Sequence, residues 1–128
     1  MQEQTTVVLI PGLLCDGTVW RHAADTLSRT HTVIVGDLST QDSLTNMAED
    51  MLAVCGEPLA VAGHSMGARV ALEMVRLAPD RIVKLALLDT GMHPRKKGEE
   101  ARRRELVDLA YEYGMKALAD RWLPGWTI

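Results

Sequence analysis

Apolar residues recur along the first two thirds of the chain in two alternating rhythms. Residues 5–10, 32–35, 58–62 and 82–88 form short aliphatic or β-branched runs without polar alternation. That is the pattern of buried strands covered on both faces, as in a parallel sheet. Between these runs, apolar positions fall at helical spacing: Val19, Trp20, Ala23, Ala24 and Leu27, then Leu44, Met47, Ala48, Met51 and Leu52, then the stretch from Met66 to Ala78. Helices are predicted from Val19 to Ser28, from a cap at Ser43 to Val54, and from Met66 to Ala78. The punctuation agrees, because Pro11-Gly12 and Gly36-Asp37 end the first two strands and Pro79-Asp80 closes the third helix. Strand and helix alternate up to Leu88, which predicts right-handed βαβ units and an α/β fold, a mostly parallel sheet flanked by helices.

The pattern changes after Asp89. Gly91, Pro94 and the run Arg95-Lys96-Lys97-Gly98 lead into a charged helix from Glu99 to Tyr113, with Leu106, Leu109, Ala110 and Tyr113 as its apolar stripe. A short helix from Met115 to Leu123 follows. Two parts are expected, residues 1–94 as the α/β core and residues 95–128 as a helical segment. Glu99 with Arg103 and Glu100 with Arg104 stand at i,i+4, so the charge run is expected to be a solvated helix face and not a nucleic-acid surface.

Composition narrows the class without choosing a reaction. With 47% hydrophobic residues, 24% charged residues and a net charge of −3, the 128-residue chain has the balance of an ordinary globular protein. Neither nucleic acid nor an anionic membrane is implied as a partner. Met1-Gln2-Glu3-Gln4 lacks the basic residues that open a signal peptide, and no apolar run approaches the ~18 residues of a membrane span, so a cytoplasmic address is expected. Cys15 and Cys55 lack metal-ligand spacing and read as free thiols. No ligand cluster and no phosphate-binding glycine pattern after the first strand is present, so neither a metal nor an organic cofactor is expected.

The candidate chemistry lies in Gly63-His64-Ser65-Met66-Gly67, between a strand-like and a helix-like run. Strand, G-x-S-x-G and helix in that order make a nucleophile elbow, a sharp turn that presents the serine hydroxyl at the mouth of the sheet. The plainer alternative is that Ser65 only caps the following helix. Gly63 speaks against it, since a plain cap needs no glycine on its near side. For Pro11-Gly12-Leu13 the plainer alternative is an ordinary strand-to-helix turn.

Taken together, Val7-Val8-Leu9-Ile10-Pro11-Gly12-Leu13-Leu14-Cys15-Asp16, Asp37-Leu38, Gly63-His64-Ser65-Met66-Gly67 and Leu85-Ala86-Leu87-Leu88-Asp89-Thr90 resemble a bacterial α/β-hydrolase in order and spacing. The resemblance covers essentially the whole chain and implies a serine hydrolase, esterase-like, acting on a carboxylic ester or related small acyl substrate. It makes Ser65 the nucleophile and the backbone N–H groups of Leu13 and Met66 the oxyanion hole. Many members carry His-Gly where this chain has Pro11-Gly12, and Gly where it has Ala68. Neither change removes a backbone donor.

The resemblance also implies that the acid and histidine follow the serine, after strands lying beyond Ile128, and that residues 95–128 begin a helical lid. The chain is therefore expected to carry only half of an active site, either as the N-terminal half of a longer hydrolase or with a second chain or another copy completing the sheet. Within the chain, Asp89 and His93 are the one alternative acid and base, while His22 and His31 are expected at the surface and His64 to point away from the Ser65 hydroxyl. Two other classes remain open: a non-catalytic fragment serving as a binding or assembly module, and the same fold with lyase, C–C hydrolase or peroxidase chemistry.

Overall fold

The computed structural model describes residues 5–56, 58–91 and 94–125. The chain divides into two compact units, residues 1–91 and residues 92–128. In the first unit, β1 (Thr6–Ile10), β2 (Thr32–Val35), β3 (Leu59–His64) and β4 (Ile82–Leu88) form one sheet in the order β2-β1-β3-β4. Each neighbouring pair is parallel, with Val8 opposite both Ile34 and Val61, and Val61 opposite Leu85. Three helices connect them: α1 (Arg21–Leu27), α2 (Leu44–Val54) and α3 (Met66–Leu77).

One face of the sheet holds the core. Val8 and Ile10 of β1 and Leu59 and Val61 of β3 pack with Met47, Ala48 and Met51 of α2 and with Val70, Ala71 and Met74 of α3. Fully burying a side chain such as Met74 contributes about 1.5–3 kcal/mol, so this cluster fixes both helices against the sheet. The predicted stripe of α2 holds at Met47, Ala48 and Met51, whereas Leu44, in the first turn, remains exposed. Ser43 caps α2 as expected, its Oγ accepting from the Asn46 N–H at 3.0 Å. Arg81 secures the other end of that helix, its guanidinium donating to the carbonyls of Leu52 at 3.0 Å and Cys55 at 2.9 Å.

Three expectations are corrected. The run Ile82–Leu88 is a strand but not a buried one: Val83, Leu85, Leu87 and Leu88 are all exposed. β4 is an edge of the sheet, paired to β3 alone among the described residues, and an apolar run records suitability for burial without supplying the neighbour that covers it. β2, the opposite edge, is only half-buried for the same reason. The first helix begins later than Val19, because Gly17–Trp20 forms a 3₁₀ turn in which the Asp16 carboxylate accepts from the Thr18 N–H at 2.9 Å. Glycine, threonine and valine are weak helix formers, and the Asp16 cap stabilises the tighter turn.

The second unit contains α4 (Glu99–Tyr113) and α5 (Met115–Trp122), packed together across Gly114 with its φ of +92°. Glu99 pairs with Arg103 at 2.9 Å as the spacing predicts. Glu100 does not take Arg104; it pairs with Arg95 at 3.1 Å, across the turn that enters the helix. In the predicted apolar stripe Leu106, Leu109 and Ala110 are half-buried and Tyr113 is exposed. Among the described residues no helix is long and apolar enough to cross a membrane.

Candidate active site

β3 and α3 meet at Ser65 with almost no connecting chain. Ser65 has φ +56° and ψ −117°, a backbone conformation that an L-residue adopts only under strain. Two glycines make the turn sterically feasible. A Cβ on Gly63 would stand 2.2 Å from the carbonyl oxygen of Gly67, and one on Gly67 would stand 2.3 Å from that of Ile10. The strand end, the helix start and the end of β1 thus approach to distances that only hydrogen side chains allow.

The surroundings hold the strained residue in place. The Ser65 N–H donates to Leu88 O at 2.9 Å, extending the β3–β4 pairing past the end of β3, and the Ala68 N–H donates to Ser65 O at 3.0 Å. The Ser65 side chain makes no capping bond to α3, which removes the plain-cap alternative. Its residue is half-buried at the C-terminal end of the sheet.

The loop after β1 reaches the same place. A Cβ on Gly12 would lie 3.2 Å from the Ser65 Cβ and 3.1 Å from His64 O, so the backbone of Gly12 rests directly against the elbow. A turn closes from the Cys15 N–H to Gly12 O at 3.1 Å, with Leu14 at φ +61°. Leu13 and Leu14 are exposed there, and Cys15 is half-buried. Asp16 anchors the far side of this loop, and hydrogen bonds from Thr18 hold its carboxyl below the usual carboxylate range. Met66 is the first residue of α3, where an N–H has no intrahelical acceptor. Met66 directly follows Ser65, and Leu13 directly follows Gly12, whose backbone rests against the elbow.

The histidines are dispersed. His22 is exposed on α1, and His31 precedes β2, with its Nδ1 at 2.8 Å from Thr30 Oγ1. Because the strands are parallel, His31 lies at the opposite end of the sheet from Ser65. His64 faces β4: its Nε2 is 3.9 Å from Asp89 Oδ2, while its buried Nδ1 has no hydrogen-bond partner among the described residues. His93, the base of the in-chain alternative, lies outside the described residues. Asp89 follows β4 at φ +51°, its carboxylate largely exposed. The juxtaposition of His64 and Asp89 was not anticipated from the sequence, although both residues flank recognisable strand ends. Among the described residues no group of His, Cys, Asp and Glu could hold a metal ion.

A family profile described as "Alpha/beta hydrolase family" matches residues 7–127. The chain belongs to this family. Similar solved structures include a thermophilic esterase from Thermogutta terrifontis, 25% identical with a TM-score of 0.79, the match covering 94% of this chain and 49% of the esterase. A deformylase from Pseudomonas putida S16 is 25% identical with a TM-score of 0.58, covering 85% of this chain and 53% of that one. A hydrolase from Oleispira antarctica, at 24% identity and a TM-score of 0.71, is similar in fold over 96% of this chain and 54% of its own. This member of the α/β-hydrolase family thus spans about half the length of the structures it matches. No curated protein sequence matches the chain.

Proposed function

We propose that this α/β-hydrolase chain supplies the nucleophile and oxyanion hole of a serine hydrolase acting on a carboxylic ester or related acyl compound. The observation that carries the reading is the strained Ser65, held at φ +56° against the Gly12 backbone. Strain of this kind costs ~1–3 kcal/mol and persists where the surroundings enforce it; here the Ser65 side chain makes no capping hydrogen bond to α3. The esterase and deformylase similarities support hydrolytic chemistry in general.

In this reading the Ser65 Oγ attacks the acyl carbonyl carbon while its proton passes to a general base. The carbonyl oxygen becomes an oxyanion and accepts hydrogen bonds from the N–H groups of Leu13 and Met66. Backbone donors fixed by the turn need no reorganisation, and one such donor contributes about 3–4 kcal/mol to the transition state. Collapse of the tetrahedral species expels the alcohol, protonated by the same base, and leaves an acyl ester on Ser65, which water then cleaves. In this reading the base and its acid are supplied by residues other than these 128. Nucleophile, oxyanion hole and binding retain only ~10³–10⁴-fold acceleration over water when the rest of a triad is absent, so slow chemistry is expected of these 128 residues alone.

Treatment with a serine-directed fluorophosphonate, followed by peptide mass mapping, tests this. Slow phosphonylation of Ser65 alone, lost in Ser65→Ala, is expected. Equal labelling of Ser28, Ser39, Ser43 and Ser65 would overturn the reading. Rapid labelling with ester turnover by a monomer of verified mass would instead overturn the external base.

A further inference from the structure

The second unit carries a concentration of positive charge that the Ser65 chemistry does not use. Within residues 95–104 there are six cationic side chains and two carboxylates, in a chain whose net charge is −3. Both carboxylates are already engaged, Glu99 by Arg103 at 2.9 Å and Glu100 by Arg95 at 3.1 Å. Lys96, Lys97, Arg102 and Arg104 make no ion pair among the described residues.

Three of these charges, Lys96, Lys97 and Arg104, share a concave surface. Lys96, Lys97, Gly98, Ala101 and Arg104, with the Arg95–Glu100 pair, line an open cleft of about 590 Å³ at the entrance to α4. Gly98, at φ +83°, turns the chain so that Arg95-Lys96-Lys97 lies beside the first turns of the helix. Glu105, the next acidic residue, does not line the cleft. Like charges gathered on one concavity repel each other, and an anion carrying two or more charges relieves that repulsion better than a single carboxylate does. Guanidinium groups suit phosphate oxygens because they donate in a planar fork.

We infer that this cleft is a binding site for the phosphate group of a phosphorylated small molecule. Its volume falls in the range of small-molecule sites, ~300–1,000 Å³. An extended polyanion such as nucleic acid is disfavoured because the remainder of the chain carries an excess of carboxylates. The site is independent of Ser65 and makes no demand on its reactivity.

Calorimetric titration of the 128-residue chain with phenyl phosphate and with inorganic pyrophosphate, at about 150 mM salt, provides the test. Amide shifts in nitrogen-15 spectra locate the binding. Saturable one-to-one binding of both probes is expected, with shifts confined to residues 95–104. Affinity should fall at least tenfold in Lys96→Glu with Lys97→Glu and in Arg104→Glu, and stay unchanged in Arg29→Glu. These side chains are exposed, so circular dichroism should be unaltered. Unsaturable shifts scattered over the surface, or equal affinity in all the charge variants, would overturn the site. Binding of pyrophosphate without phenyl phosphate would overturn its assignment to phosphate esters.

Discussion

A methyl group on Gly63 would lie 2.2 Å from the carbonyl oxygen of Gly67, so the two glycines of the elbow exclude side chains by direct backbone contact. Neither partner is a flexible side-chain tip that could turn aside. Gly63→Ala therefore forces the β3–α3 junction apart, and Gly67→Ala does the same between α3 and the end of β1, where the nearest atom is 2.3 Å away. A loss of about 3–5 kcal/mol or failure to fold is expected for each, read from urea unfolding midpoints. Gly12→Ala, with its closest contact at 3.1 Å, should cost only about 1 kcal/mol yet slow phosphonylation of Ser65 by displacing the loop.

Ser65 should show a trade-off between stability and reactivity. Glycine adopts φ +56° without a Cβ penalty, so Ser65→Gly is expected to stabilise the protein by about 1 kcal/mol while abolishing labelling. Ser65→Ala keeps the strained backbone and a Cβ, and its stability should stay within about 0.5 kcal/mol of the parent. Equal stability of the two variants would mean that the turn stores no strain.

Arg81 joins the entry of β4 to the C-terminus of α2 through the carbonyls of Leu52 and Cys55. Removing a charged donor from two helix-end carbonyls costs roughly 1.5–3 kcal/mol. Arg81→Met should thus lower stability by that amount and speed amide exchange in the last turn of α2, while amides in β1 keep their relative protection.

The two thiols should separate cleanly. Cys55 is 7% exposed, and burial pushes its pKa above the ordinary value, with the Arg81 charge opposing in part. A raised thiol pKa means that the folded state holds its proton longer than the unfolded state. The stability linked to Cys55 is therefore complete below the unfolded thiol value of about 8.5 and declines as pH rises through the folded value. Iodoacetamide at neutral pH should modify half-buried Cys15 first, and Cys55 only at the rate of opening. Cys55→Ala should flatten the loss of stability on the alkaline side, measured by unfolding between pH 7 and 10.

Local patterning alone determined the alternation of strands and helices, the Ser43 cap, the core stripe of α2 and the position of the elbow. Each depends on spacing within one element, and Gly63, Ser65 and Gly67 need only their neighbours to define a strand–turn–helix. Tertiary structure decided what depends on neighbours distant in sequence. The apolar run Ile82–Leu88 fits burial equally well at the centre or the edge of a sheet, and only strand order leaves it exposed. Glu100 has two cations in reach, and the turn at Gly98 gives it to Arg95 in preference to Arg104. The approach of Gly12 to Ser65 likewise joins residues more than fifty positions apart. Parallel pairing of β1 with β3 brings them together, a register that no local pattern encodes.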